Sequence, residues 1–230
     1  MSVKAEAGAQ PVRAQEFQTG RVLTITIAHA VHDTYTAFLA PLLPVFIENL
    51  SLSKTEAGLL TAFNQAPSLT QPFIGHLADR LSLRYLVIFA PAVTATAMSV
   101  LGLAPTYLIL ALLLIAVGLS SATLHSVAPV MAGRLSGRNL GRGMGFWMVG
   151  GELGRTLGPL VIVAGIQFLG LEGTAWLMIG GWLVTILLFF WLRDVPARVA
   201  DAGDGLPWRQ ALHLMRPLLV PLMGIIVVRS

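Results

Sequence analysis

The 230-residue sequence contains no cysteine, and only 11% of its residues are charged, against roughly 25% in an average soluble protein. Without cysteine, disulfide bonds, iron–sulfur clusters and cysteine-ligated zinc sites are excluded. The pI is near 10.1, but the basic residues are dispersed between long uncharged stretches and predict no nucleic-acid partner. Hydrophobic residues make up 55% of the chain and the mean hydropathy is +0.76, which predicts a membrane protein with the lipid bilayer as its surroundings.

Sequence signatures of catalysis are missing as well. No H-E-x-x-H, G-x-S-x-G or P-loop pattern occurs, and the only two lysines lie in polar segments. An ATP-driven pump within this chain is therefore excluded, and an enzyme is not expected. No cofactor and no metal site is predicted.

Long apolar runs recur along the chain at the length of about 20 residues that a membrane-spanning helix needs. Because backbone polar groups in lipid must be paired within the segment, these runs predict helices. The fold class is therefore all-α and integral to the membrane. Six spans are predicted, at residues 22–47, 57–78, 85–103, 107–131, 143–169 and 173–192.

The cations predict the orientation of these spans. Of the 15 lysines and arginines, 12 lie in the N-terminal tail, in the loops after the second and fourth spans, or after the sixth span. By the positive-inside rule these segments and the N-terminus are predicted to be cytoplasmic. The predicted location is the inner (cytoplasmic) membrane. The predicted organisation is a cytoplasmic tail, a six-helix bundle, a cytoplasmic connector and the start of a truncated seventh helix, at residues 1–21, 22–192, 193–213 and 214–230.

The six spans divide into two similar groups of three. In each group the second helix is rich in proline or glycine, and the first carries buried polar residues. Such a 3+3 pattern is typical of the inverted repeats of secondary transporters. Together with the connector and the incomplete seventh span, it predicts half of a twelve-helix plan, whose missing C-terminal half is then a partner of this bundle.

The loop between the second and third spans carries the sequence GHLADRLSLR, residues 75–84. It resembles the G-x-L-A-D-R-x-G-R-K signature of the major facilitator superfamily at the same loop, with Ser82 and Leu83 as departures. The resemblance implies a conformational switch at this loop. A contact of the acidic residue at the cytoplasmic side breaks, which lets the two halves of the transporter rock against each other. The glycine of the motif permits close approach of two helices. The switch residues it implies are Gly75, Asp79, Arg80 and Arg84.

Three further segments resemble the fosmidomycin-resistance branch of that superfamily, within residues 25–190. They are His29–Asp33, Gly118–Pro129, and Val149–Gly151 with the later Gly158–Pro159. The fifth span also resembles the antiporter motif of drug exporters. Its small residues predict a smooth ridge on which another helix can pack and slide, although tight packing without sliding fits equally well. The residues predicted to serve helix packing are Gly150, Gly154, Gly158 and Pro159.

Asp33 lies about 16 Å into the first span at 1.5 Å per residue, near the middle of the membrane. An ionisable residue at this depth is by default a functional hypothesis, so Asp33 is predicted to carry a proton. His29, one turn away on the same face, is predicted to share it. The alternative is that Asp33 only hydrogen-bonds a neighbouring helix.

Four further side chains are predicted to line a substrate cavity: Glu152, Arg155, His125 and Gln65. Glu152 and Arg155 are three residues apart and can pair, or Arg155 can pair with Asp33 across helices. A guanidinium there favours an anionic solute. His125 can instead satisfy a backbone carbonyl, Gln65 can join two helices, and His32 is expected to point away from Asp33 and serve packing.

The resemblance and these residues together predict a secondary transporter, most simply a proton-coupled exporter of a small drug-like or anionic compound by alternating access. Its partners are then protons and a small-molecule substrate. Two alternatives remain: a metabolite uptake symporter or facilitator, and a non-transporting membrane sensor.

Overall fold

The computed structural model describes residues 16–81 and 83–195 together with the helical positions 210, 213, 214, 216, 217 and 221. Within these residues the regular secondary structure is all helical, and short turns and irregular segments connect the helices. The α-helices are α1 Thr19–Thr36, α2 Leu39–Asn49, α3 Lys54–Gln65, α4 Gln71–Arg80, α5 Arg84–Ser99, α6 Tyr107–Leu135, α7 Leu140–Gly173 and α8 Met178–Leu192. Short 3-10 helices lie at Ala66–Thr70, Leu101–Leu103 and Thr174–Leu177.

The chain divides into two compact units, Met1–Ala197 and Arg198–Ser230. The helices above all belong to the first unit. The predicted connector at 193–213 and the predicted seventh helix at 214–230 lie almost entirely outside the described residues, as do the first 15 residues of the predicted tail. Helix α1 begins at Thr19, three residues before the predicted span, and Arg21 donates a hydrogen bond to the Gln18 side chain in its first turn.

Four helical stretches of the described chain are long and apolar enough to cross a membrane: Thr19–Asn49, Arg84–Leu103, Tyr107–Leu135 and Leu140–Leu192. The last stretch covers two predicted spans, and Gly170, with φ at 73°, lies between them. The predicted span 57–78 corresponds to α3, a 3-10 turn and α4, and it is not among the four. Polar residues lower the hydropathy of that segment: Asn64, Gln65 and Gln71.

Prolines explain the two interruptions of the helices near the site. Pro41 has no N–H to donate to the carbonyl of Ala37, and the break between α1 and α2 falls there. At the second interruption, Pro67 lies in the first positions of the 3-10 turn Ala66–Thr70, and Pro72 lies in the first turn of α4 directly after it. Both interruptions lie where the chain lines a cavity.

Two apolar clusters form the core, one toward each end of α1. Val22, Ile25 and Ala28 belong to the first, whereas Tyr35 and Phe38 belong to the second. Between these two groups α1 carries a layer of buried ionisable side chains: His29, His32 and Asp33. The fold therefore places a cluster of ionisable side chains near the middle of the membrane-crossing stretch Thr19–Asn49.

Candidate functional site

Asp33 is the centre of the buried cluster. Its side chain is 3% exposed, and four basic groups on three helices surround its two oxygens. On α1, His29 Nε2 lies 3.3 Å from Oδ2 and His32 Nδ1 lies 3.1 Å from Oδ1. The spacing of His29 and Asp33 by one helical turn brings the first pair together, as predicted.

Helix α7 fixes the orientation of His29. The ring of His29 stacks on the indole of Trp147 with centroids 3.6 Å apart, and its Nδ1 is 2.9 Å from the Trp147 carbonyl oxygen. Since a carbonyl can only accept, Nδ1 carries the hydrogen. In the neutral ring, Nε2 is therefore left with a lone pair directed at Asp33.

His125 reaches the cluster from α6. Its Nδ1 lies 2.9 Å from the Ser121 carbonyl oxygen, so this ring too donates from Nδ1. Its Nε2 lies 3.6 Å from Asp33 Oδ1 and 3.2 Å from His29 Nε2. The side chain is 28% exposed, which makes His125 the imidazole of the cluster with access to solvent. His125 therefore does both things that the sequence offered as alternatives: it lines a cavity and it donates to a backbone carbonyl.

Arg155 on α7 pairs with two carboxylates. Its Nη1 lies 3.4 Å from Asp33 Oδ2, and its Nη2 contacts Glu152 Oε1. Both pairings that the sequence left open therefore occur at once. Arg155 and Glu152 are half-exposed or more, so the guanidinium joins the buried carboxylate to an exposed one.

The expectation that His32 points away from Asp33 is wrong. Adjacent residues on a helix point about 100° apart, but the Asp33 carboxylate turns back far enough for His32 Nδ1 to reach it. On its far side His32 Nε2 lies 3.0 Å from Thr94 Oγ1, and Thr94 donates to Ser120. His32 therefore ties the carboxylate to α5 and α6.

A cavity with a volume of about 630 Å³ opens beside the cluster. Asp33, His125, Arg155 and Gln65 line it, which agrees with their predicted placement. Glu152, also predicted there, is not among the lining residues; its side chain is 64% exposed and reaches the cavity only through its contact with Arg155. Asn64, whose amide the sequence also allows in the cavity or between helices, lines it too, and further polar lining comes from residues that the sequence analysis did not assign: Thr36, Ser68, Gln71 and Ser121.

The glycines of α7 bring its backbone against α1. A methyl group added at Gly150 would lie 2.6 Å from the Thr26 carbonyl oxygen. At Gly154 and Gly158 it would lie still closer to the carbonyl oxygens of Ala30 and Thr34. The predicted packing ridge therefore exists, and its partner is α1, the helix that carries Asp33. Pro159, the last residue of that set, lines the cavity.

The loop motif is only partly described. A methyl group at Gly75 would meet no described atom within 4 Å, so the close helix approach expected at this glycine is not found in the described part of the chain. The physical reason is that Gly75 faces open space. The Arg84 guanidinium lies 5.0 Å from the centre of the Tyr85 ring. The side chains of Asp79 and Arg80, and the whole of Ser82, lie outside the described residues.

The described chain thus combines apolar helices long enough to cross a membrane with a charged cluster beside a cavity, as expected of a multi-pass membrane protein. The family model of the Major Facilitator Superfamily matches residues 25–228. The chain belongs to this superfamily, whose members are transporters rather than enzymes. The predicted resemblance is confirmed.

Two curated relatives are similar over most of this chain. An MFS-type transporter of Bacillus subtilis (strain 168), YfnC, is 26% identical over 186 residues, which are 80% of this chain and 45% of that protein. The fosmidomycin resistance protein of Escherichia coli (strain K12) is 26% identical over 165 residues, which are 71% of this chain and 41% of that protein. The chain spans somewhat less than half the length of these relatives.

Proposed function

We propose that this chain forms the N-terminal six-helix bundle, built as a 3+3 inverted repeat, of a proton-coupled exporter that works by alternating access. Its substrate is a small drug-like or anionic compound. The bundle spans the inner membrane with its N-terminus in the cytoplasm, and a C-terminal half supplies the rest of the path. Residues 193–213 and 214–230 form the cytoplasmic connector and the start of the seventh helix.

One observation carries this proposal: a buried carboxylate, three imidazoles and a guanidinium meet beside a polar cavity in the middle of an apolar bundle. Ionisable groups in a membrane interior are costly and mark ion and substrate pathways. The similarity to a protein named for fosmidomycin resistance supports export of a small compound.

The coupling uses the two partners of Arg155, Asp33 and Glu152, and a competition between proton and substrate. With Asp33 ionised, Arg155 lies 3.4 Å from it beside the cavity, where its planar fork of N–H donors binds an anionic group of the substrate. A proton taken up by Asp33, and shared with His29 at 3.3 Å, removes the negative charge that holds the guanidinium there, so that Arg155 keeps only Glu152 as a partner and the substrate is released. Protonation of Asp33 and binding of substrate therefore displace each other, and the two move in opposite directions.

The test is transport by the full-length protein in liposomes with an imposed pH gradient. Fosmidomycin and a panel of small carboxylates and phosphonates are the probes, and a pH-sensitive dye inside the vesicles reports the proton. We expect substrate to move uphill against proton flux. Proton and solute moving in the same direction would contradict export and support uptake by a symporter. No flux of either would contradict the proposal as a whole.

Replacing Arg155 by glutamine is expected to raise the apparent KM for an anionic substrate at least about tenfold, since a hydrogen bond to a charged group contributes about 1.5–3 kcal/mol. Arg155→Lys keeps the charge but loses the bidentate fork, so an intermediate value is expected. Initial rates in the same liposomes give the measurement.

Arg138→Gln is the matched control, because Arg138 is exposed and does not line the cavity. It should leave KM unchanged. An equal increase in both variants, or none in Arg155→Gln, would show that Arg155 does not bind substrate.

A further inference from the structure

Two imidazole nitrogens and the Asp33 carboxylate lie close enough together to share a metal ion. The Nε2 atoms of His29 and His125 are 3.2 Å apart; His29 Nε2 lies 3.3 Å from Asp33 Oδ2, and His125 Nε2 lies 3.6 Å from the other oxygen, Oδ1. With one ligand atom taken from each residue, all three lie within 4.8 Å of one another. A tetrahedral zinc ion with bonds of about 2.0–2.1 Å holds its ligand atoms roughly 3.3–3.4 Å apart. We propose that His29, Asp33 and His125 bind a divalent transition-metal ion of the zinc type.

The hydrogen bonds behind the imidazoles support this site. His29 donates from Nδ1 to the Trp147 carbonyl and His125 donates from Nδ1 to the Ser121 carbonyl. Metal-bound histidines are held in the same way, with the other ring nitrogen bonded to a carbonyl or carboxylate. Both Nε2 lone pairs then face each other and a carboxylate, an arrangement that a cation between them stabilises.

The charges near the cluster favour a cation as well. Asp33 and Glu152 carry two negative charges against the one positive charge of Arg155. An ion on Asp33 displaces the guanidinium from its 3.4 Å contact, but Arg155 stays paired with the exposed Glu152. Binding therefore does not leave an arginine without a carboxylate.

Access and ligand type define the ion. His125 and Asp33 both line the cavity, so an ion enters from that side and a water or solute takes the fourth position. Imidazole nitrogens suit zinc, copper, nickel and cobalt, whereas magnesium and calcium prefer oxygen ligands. The site is therefore expected to bind zinc-type transition-metal ions in preference to magnesium and calcium.

The test is titration of the full-length protein in detergent with Co²⁺, whose visible absorption reports tetrahedral nitrogen and oxygen ligation. We expect one Co²⁺ per chain, displaced by Zn²⁺ and unaffected by Mg²⁺. Loss of a second-shell partner alone weakens metal binding about 10–100-fold, so removing a ligand in His125→Gln should weaken it at least about 100-fold. His76→Gln is the control, since His76 is exposed and outside the cluster.

A second measurement uses only the wild-type chain. Chemical modification of histidine, mapped by mass spectrometry, should be blocked by Zn²⁺ at His125 and not at His76. Absence of a Co²⁺ spectrum, or modification of His125 that Zn²⁺ does not change, would overturn the metal site and leave the transport proposal untouched. A Co²⁺ spectrum in a protein that transports nothing would keep the site and reject the transporter mechanism.

Discussion

Replacing Gly154 by leucine is expected to prevent recovery of the folded protein. The glycine lies against the Ala30 carbonyl of α1, and a methyl group there would already contact Ala30 O and the Asp33 Cβ atom. A leucine must push α7 away from α1 along the seam that positions the cluster. Gly154→Ala should fold with a loss of about 1–3 kcal/mol, the usual cost of an overpacked site. Size-exclusion profiles and thermal unfolding in detergent give the measurement.

Gly145→Leu is the control for that experiment. Gly145 belongs to the same helix, but a methyl group there meets no described atom within 4 Å. This variant should elute and unfold as the wild type does. If Gly154→Leu behaves like Gly145→Leu, the close contact of α1 and α7 is not needed for folding.

Replacing Asp33 by asparagine is expected to reduce proton-driven uphill transport at least about tenfold while the protein still folds. The amide has nearly the same volume as the carboxylate, so packing is retained. It can neither bind a proton nor attract Arg155 and the imidazoles, and each lost bond to a charged group is worth about 1.5–3 kcal/mol. Transport in liposomes with and without a pH gradient measures the effect.

Glu48→Gln provides the comparison, because Glu48 is an exposed acid on α2 away from the cavity. It should transport normally. Full pH-driven activity of Asp33→Asn would remove Asp33 from the coupling mechanism, and a collapse of the protein without Asp33 would assign it a structural role. The thermal unfolding profile of Asp33→Asn separates these two outcomes.

Local rules predicted much of this fold. Runs of apolar residues predicted helical segments whose ends differ from those of the structure by only a few residues, but four stretches of the described chain, and not six, are long and apolar enough to cross a membrane. The one-turn spacing of His29 and Asp33 and the three-residue spacing of Glu152 and Arg155 predicted two contacts that the structure contains. Both contacts lie within a single helix, where the spacing in sequence determines which side chains are neighbours.

Contacts between helices were harder to predict. Trp147 holds His29 by stacking and by its carbonyl, but an aromatic residue in an apolar run has no sequence signal for such a role. His32 was assigned to packing because the angle between neighbouring residues ignores how far a flexible carboxylate turns. Gly75 was expected to lie against another helix, but a methyl group there would meet no described atom within 4 Å. A glycine in a sequence motif does not reveal what faces it.

The 3-10 turn at Ala66–Thr70 changes which side chains lie in one row along the helix axis. Residues three apart advance by 300° on an α-helix but by a full rotation on a 3-10 helix, where they eclipse one another. Gln65, Ser68 and Gln71 are spaced by three across this turn, and all three line the cavity. Local overwinding therefore stacks two amides and a hydroxyl into one polar column on the wall of the cavity, while the regular helices above and below it keep their own faces.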